Sequence, residues 1–375
     1  MKIVFLCSSL EPGRDGVGDY TRRLAAELIR QGHFSAALSL NDKFTSDKIN
    51  GTQQSEGIDL PVMRLPELWP MKIKLAHAKK YINDFNPDWL SLQFVIFGFH
   101  NKGLPFRLGS QLALLCQGRR LQIMFHELWV GMAIETSQKL KWWGRIQRFL
   151  IKSMVYNLNP SVVHTQATLY NLQLAKLGIQ SKYLPLFTNI PLLHNVIPRP
   201  LTNSEEGNRI IKLIVFGSIY KGVSIDMFAK EVSLYGKKTN TRIILTLLGR
   251  CDKKEQDNWI ETWQSYGLDV ELLGEQSAGS VAEIFSVFKF GIATTPLAMT
   301  EKSGSVAAMR AYGMKMICIS HPWRPRGIKD FKLPDDILEY TEGSFETFVN
   351  NKVSNSVAYS VSEIAKEFGN DLMLT

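Results

Sequence analysis

The chain has 375 residues, 45% hydrophobic and 21% charged, the composition of a globular protein in water and long enough for two domains. Its 44 Lys and Arg against 35 Asp and Glu leave a formal charge of +9, which points to an anionic membrane, a phosphate-bearing substrate or nucleic acid; solubility alone is the plainer reading. No RNA-binding signature, zinc finger or heptad run accompanies that charge, so nucleic acid is set aside.

No stretch approaches the run of about 18 apolar residues that a membrane span needs. The opening MKIVFLCSSLEPGRDG reads as a first strand, not as a signal peptide. Cys7, Cys116, Cys251 and Cys318 are too scattered for a disulfide framework or a zinc site, which suits a reducing cytosol.

In chain order, short β-branched apolar runs alternate with helical patterns. The first half offers strands at Lys2–Cys7, Trp89–Phe94, Leu121–Phe125 and Ser161–His164. The second offers Lys212–Phe216, Arg242–Leu248, Val270–Leu273, Phe290–Thr294 and Met316–Ile319. Near-continuous apolar strands separated by helices predict parallel sheets covered on both faces. Pro191, Pro198, Pro200 and a polar TNSEEG stretch separate the halves, as a linker would. The expected fold class is therefore α/β, with two doubly wound Rossmann-like domains. The expected boundaries are 1–190, a linker at 191–207, a second domain at 208–355, and a C-terminal helix at 356–375 returning to the first domain.

Ligands of open α/β sheets bind beyond the carboxyl ends of the strands, and four unusual segments lie there. After the first strand comes GRDGVGDYTRRLAAELIRQGH. Gly13, Gly16 and Gly18 permit turns and close approach, Asp19 can cap the helix, and Gly32 closes it. Such a loop can present N–H groups to an anion, or serve as a tight strand–helix turn. It is not G-x-G-x-x-G. The second segment is Phe125-His126-Glu127-Leu128-Trp129, where an imidazole can bond a sugar hydroxyl and an indole can stack on a sugar face. A structural histidine is the alternative.

The third is FGSIYKG, which sets Lys221 beside a helix capped by Ser224, well placed for a diphosphate. The fourth is Thr294-Thr295-Pro296 followed by Glu301-Lys302-Ser303-Gly304-Ser305, opening a helix that stops at Gly313. The N–H groups of Ser303 to Ser305 can face phosphate, Lys302 adds charge, and Glu301 can accept from sugar hydroxyls. A plain serine cap is the alternative.

These four segments, in this order, resemble the GT-B glycosyltransferases, specifically the family 4 retaining enzymes of bacterial polysaccharide assembly. DGVGDYTRRLAAEL is similar to the family's first glycine-rich loop, MFHELW to its His-bearing strand end, FGSIYKG to its Lys loop, and Glu301 to Gly313 to its donor segment. The resemblance implies two domains facing a cleft and closing over a nucleotide-sugar. It also implies transfer with retention to a glycan or lipid-linked acceptor, with no cofactor and no bound metal.

The implied catalytic residues are His126 and Glu301. The donor and phosphate group would be bound by Gly16, Val17, Gly18, Lys221, Lys302, Ser303, Gly304 and Ser305, with Asp19 and Trp129 on the acceptor side. One departure stands out. The family's second glutamate falls on Met309, or on Ala308 when aligned on Gly313, and the Arg before the Lys is replaced by Ser218 and Ile219. A donor-binding accessory subunit and a sugar-nucleotide epimerase are the rival readings.

Finally, QKLKWWGRIQRFLIKSMV at 138–155 is amphipathic. Lys141, Arg145, Arg148 and Lys152 share one side, and Trp143, Ile146, Leu150 and Met154 the other. That pattern fits a core helix with a solvated basic face. It also fits docking on an anionic membrane at the inner face of the cell.

Overall fold

The computed structural model describes residues 1–193, 209–329, 331–351 and 358–374. The linker expected at 191–207 lies outside the described residues from 194 onward, as do the first two residues of the expected C-terminal segment. The chain forms two compact units, Met1–Asn189 with Pro325–Lys329 and Tyr359–Thr375, and Ile190–Arg324 with Asp330–Ala358.

The first unit runs β1 (Lys2–Cys7), α1 (Gly16–Arg30), β2 (Phe34–Asp42), β3 (Ile49–Ser55), β4 (Ile58–Pro66), α2 (Met71–Phe85), β5 (Trp89–Phe94), α3 (Leu108–Ala113), β6 (Arg120–Phe125), α4 (Gln138–Leu158), β7 (Val162–Thr165), α5 (Thr168–Ala175) and β8 (Lys182–Tyr183). Its sheet has the order β3-β4-β2-β1-β5-β6-β7-β8. All pairings in it are parallel except β3 with β4. The inner strands β1 and β5 are apolar because both of their faces are covered.

Three elements escape the apolar-run reading. β2 is built largely of small residues, and β3 is a polar strand at the sheet edge. β4 is interrupted by Pro61 and by Arg64, whose guanidinium is buried against Asp42, with Nε 2.8 Å from Oδ2. A charge inside a strand is tolerable there because it is paired and hydrogen-bonded.

The second unit runs β9 (Arg209–Phe216), α6 (Asp226–Thr239), β10 (Thr241–Leu248), α7 (Lys253–Ser265), β11 (Asp269–Gly274), α8 (Ala278–Phe285), β12 (Phe290–Ala293), a 3-10 turn (Leu297–Lys302), α9 (Gly304–Ala311), β13 (Lys315–Cys318), β14 (Ile337–Glu339) and α10 (Phe345–Asn350). Its described strands are ordered β11-β10-β9-β12-β13-β14, all parallel. Separate cores cover the two faces. Trp259, Trp263 and Phe345 lie in one; Phe285, Met309 and Met316 lie in the other.

The chain then returns to the first unit as α11 (Val361–Met373), opened by a reciprocal Ser360–Glu363 capping box. Ile364, Phe368 and Leu372 enter the same core as Phe5, Leu24 and Leu28, with the Phe5 and Phe368 rings 5.8 Å apart. Each such fully buried side chain contributes roughly 1.5–3 kcal/mol by removal of apolar surface from water. Residues 325–329 also belong to this unit, where Arg326 N–H donates to the Met132 carbonyl at 2.7 Å.

Helix α4 is placed differently from its sequence reading. Its buried stripe is Gly144, Gln147, Ile151, Met154 and Leu158, while Ile146 is 40% exposed. Gln147 takes the centre of that contact because it serves two backbone groups, accepting from Val130 N–H at 2.9 Å and donating to the Gly103 carbonyl at 3.1 Å. At Gly144 the helix lies so close to the 129–131 loop that a Cβ would overlap the Val130 carbonyl oxygen. Trp143 is half-buried and donates its indole N–H to the Lys102 carbonyl at 2.9 Å.

Candidate functional site

In the first unit the glycine-rich loop and the His-bearing strand end come together. Tyr20, on α1, meets the His126 ring edge to face at 4.9 Å and stacks on Phe187 at 4.5 Å. The cap of α1 is Asp15 and not Asp19: its carboxylate accepts from Val17 N–H at 2.8 Å and Gly18 N–H at 3.0 Å. Both aspartates flank G-V-G, and the helix begins one turn earlier than the Asp19 reading requires.

That cap changes the role of the loop. The N–H groups of Val17 and Gly18 are held by a carboxylate, so they do not offer themselves to phosphate. Asp19 accepts from Gly13 N–H at 3.0 Å and pairs with Arg22, so it too is engaged. Gly18 is required by packing, since a Cβ there would sit 2.5 Å from the Ser9 carbonyl oxygen, whereas one at Gly16 would meet nothing. Burial raises the Asp15 carboxyl above its ordinary range, against the lowering effect of its two N–H donors.

His126 stands at the end of β6, as its position in the sequence suggests, but its ring is turned inward. It is 5% exposed, with Nε2 2.8 Å from Gln93 Oε1 and Nδ1 3.1 Å from the side chain of Gln166. Burial pushes its pKa down to about 4, only partly opposed by Gln166. The imidazole is therefore neutral, and both nitrogens are committed within the unit. Trp129 is 4% exposed and covered by α4, with Arg148 over its ring at 5.9 Å. It does not present a face on which a sugar could stack. The two corrections have different causes: His126 is enclosed by Gln93, Gln166 and Tyr20, whereas Trp129 lies in the 129–131 loop packed against α4.

In the second unit the Lys loop and the serine helix converge. Thr294, just past β12, donates its hydroxyl to the Ser218 carbonyl at 3.1 Å and accepts from Tyr220 N–H at 3.2 Å. Gly217, with φ of +82°, lies under the start of α9, where a Cβ would come within 3.2 Å of Ser305 Oγ. Ser303 is the cap of α9, accepting from Val306 N–H at 3.4 Å, and its own N–H donates to the Thr300 carbonyl at 3.0 Å. The N–H groups of Gly304 and Ser305 have no protein acceptor among the described residues. They form the first turn of an eight-residue helix, where backbone donors and the helix dipole both favour an anion.

Lys221 is exposed on the neighbouring loop, whose Gly222 N–H donates to Glu255 at 3.1 Å. His321, beyond β13, was passed over in the sequence. Its Nε2 lies 3.4 Å from where a Gly222 Cβ would stand, so an imidazole joins the Lys loop. Its position, three residues past the end of an apolar strand, was the available signal. Ser224 is not the helix cap proper, because α6 starts at Asp226, whose N–H the Ser224 hydroxyl accepts at 3.3 Å. Glu301 and Lys302 end the 3-10 turn ahead of α9 and do not open the helix; both have partners within the protein.

The missing second glutamate also has a physical account. Ala308 and Met309 are both 1% exposed, and Met309 packs against β12 so closely that a Cβ on Gly291 would lie 2.6 Å from its sulfur. This face of α9 is core, and a carboxylate there would be buried. Among the described residues, no three His, Cys, Asp or Glu side chains gather as a metal ion would need, and no helix is long and apolar enough to cross a membrane.

No protein-family model matches the chain, and no curated protein matches it in sequence. Solved structures do match its fold. The structure of Anabaena HepE in complex with UDP and glucose superposes with a TM-score of 0.62 at 14% identity, covering all of both chains. The catalytic domain of starch synthase IV from Arabidopsis thaliana, bound to ADP and acarbose, gives 0.61 at 11% identity over 100% of this chain and 99% of that one. A putative UDP-N-acetylglucosamine 2-epimerase from Listeria monocytogenes gives 0.59 at 10% identity over 99% and 95%. The fold is GT-B, two Rossmann-like domains each built on a mainly parallel sheet.

Proposed function

We propose that the chain is a glycosyltransferase that moves a sugar from a nucleotide-sugar donor to a glycan or lipid-linked acceptor. Transfer would proceed with retention and without a metal, in assembly of a cell-surface polysaccharide. The observation that carries this reading is the start of α9, where the N–H groups of Gly304 and Ser305 have no acceptor among the described residues and the Ser305 hydroxyl lies beside Gly217, on the loop that bears Lys221. Preorganised donors of this kind stabilise charge as it develops on a leaving diphosphate, commonly the largest catalytic contribution. Lys302 and His321 would add to that field, and Glu301 would accept from hydroxyls of the transferred sugar. His126, with both nitrogens engaged, would hold the end of β6 in place and would not itself transfer protons. Because α9 offers core side chains where a ribose-binding glutamate is expected, it would not hold the ribose through a carboxylate.

A thermal-shift screen with UDP-, GDP-, dTDP- and ADP-sugars tests donor binding, since a ligand bound only by the folded state raises its stability by mass action. Nucleoside diphosphate released only when an acceptor is present then distinguishes a transferase from an accessory subunit. The Listeria likeness favours an epimerase as second reading. Nucleoside diphosphate release or sugar interconversion in the absence of any acceptor would support it.

We also propose that α4 docks the protein on an anionic membrane. Trp142, Phe149 and Tyr156 recur at seven-residue spacing and are 63%, 70% and 85% exposed. The basic side chains Lys141, Arg145, Arg148 and Lys152 flank that stripe, and Arg145 lies over the Trp142 ring at 4.5 Å. Outward aromatic residues beside a basic flank suit the headgroup boundary of a bilayer.

A further inference from the structure

The sheet of the first unit contains a file of buried polar side chains, and the candidate site uses only one end of it. His126 Nε2 faces Gln93 Oε1 at 2.8 Å and its Nδ1 faces Gln166 Oε1 at 3.1 Å; a neutral ring can donate to only one of them, and the bonds that run on from Gln93 to the Asp371 carboxylate put the proton on Nε2. Gln93 donates from Nε2 to Ser91 Oγ at 2.7 Å, and Ser91 donates to Gln122 Oε1 at 2.6 Å. The remaining end of the Gln122 amide, Nε2, has only hydrogens to give and lies 3.1 Å from His164 Nδ1. His164 therefore also carries its proton on Nε2, from which it donates to Asp371 Oδ2 on α11 at 2.9 Å.

The other end obeys the same logic. With its proton on Nε2, His126 presents a lone pair at Nδ1, which cannot share a bond with an amide oxygen. The Gln166 amide is therefore turned so that its NH2 meets the ring. This orientation also gives the buried Gln166 nitrogen, otherwise without a partner, an acceptor in His126 Nδ1. Every bond in the file then points one way, from Gln166 to the carboxylate on α11.

A carboxylate is the only member that cannot reverse the sequence while ionised. Lys182 from β8 pairs with it, and Glu367, one turn earlier on α11, is the other acidic group nearby. Burial raises the Asp371 carboxyl, but Lys182 and His164 outweigh burial and leave it lowered.

We propose that Asp371 is a positioning residue: as terminal acceptor it fixes which nitrogen of His126 carries the proton, so the C-terminal helix sets the polarity of the strand end in the first unit. The consequence for activity rests on His126 belonging to the functional site. The relay itself does not.

The test is ring 15N NMR of the full chain labelled at histidine, with resonances assigned through His126→Gln and His164→Gln. In wild type at neutral pH, both histidines should be neutral with the proton on Nε2. Asp371→Asn replaces the carboxylate with an amide that can donate to His164. The Nδ1–H to Nε2–H ratio should then rise by roughly tenfold or more at both rings, in keeping with the loss of one charge-assisted bond. Asp371→Glu should restore the wild-type pattern. Adding Ser91→Ala to Asp371→Asn should leave His164 responsive and His126 indifferent. A charged or Nδ1-protonated His126 in wild type overturns the proposal without any variant. So does a His126 ratio unmoved by Asp371→Asn, or one that moves equally with Ser91 removed. No activity is read, so a failed relay leaves the transferase assignment standing, and an inactive protein leaves the relay standing.

Discussion

Acidification should unfold the first unit through His126 before most of its carboxylates protonate. Burial lowers this imidazole from an ordinary 6.5 to about 4 in the folded chain. A folded-state value below the unfolded one means that the unfolded chain binds the proton first. The stabilisation is therefore complete above about pH 6.5 and is lost as pH falls toward 4. At about 1.36 kcal/mol per unit the whole effect is about 3 kcal/mol, of which roughly 2 is gone by pH 5. Urea unfolding of wild type and His126→Gln at pH 7.5 and 5.0 isolates it, because the other titrating groups, the buried His164 included, are common to both proteins. Wild type should lose roughly 2 kcal/mol more than the variant between the two pH values. Parallel losses would refute the idea that a neutral, buried His126 is held at the end of β6.

Lys221→Ala and Lys302→Ala should each weaken nucleoside diphosphate binding by an amount consistent with one charge-assisted contact, about 1.5–3 kcal/mol; calorimetry showing unchanged affinity in both would remove them from the phosphate site. Gly144→Ala forces a methyl group into the Val130 carbonyl and should destabilise the first unit by about 1–3 kcal/mol, read as a lowered melting temperature. Reversing Lys141, Arg145, Arg148 and Lys152 to Glu should abolish flotation with anionic vesicles, each basic side chain near such a surface being worth about 1 kcal/mol, while transfer to a soluble acceptor persists. Wild type that ignores those vesicles at low salt would end the membrane proposal. Transferase activity should survive EDTA; loss restored by Mg²⁺ or Mn²⁺ would place the mechanism in another class.

The fold was legible where periodicity and burial coincide. Apolar runs such as Ile3–Cys7 and Leu213–Val215 are central strands of doubly covered sheets, and composition alone marks such positions. The strands β2, β3 and β4 were hidden because small residues, an exposed edge and a paired internal arginine each erase that signal. In the candidate site, sequence located the ends of strands but not the direction of side chains. It could place His126 and Trp129 beyond β6 without showing that two glutamines enclose the one and α4 covers the other. The polar residues inside otherwise apolar strands, Ser91 and Gln93 in WLSLQF and Gln122 in RLQIMF, were the overlooked sign that a buried network runs through this sheet.

The return of α11 to the first unit has a consequence for how the protein is made. Residues 1–189 leave the ribosome with a core that still lacks Ile364, Phe368 and Leu372, and the segment that supplies them begins about 170 residues later. At synthesis rates of about 5–20 residues per second, that gap lasts roughly 10–30 seconds. During it, the Phe5 face of the sheet is a site for chaperones or for a stray apolar helix from another chain. The first unit therefore cannot complete its core until the second has been synthesised: the half that begins first finishes last.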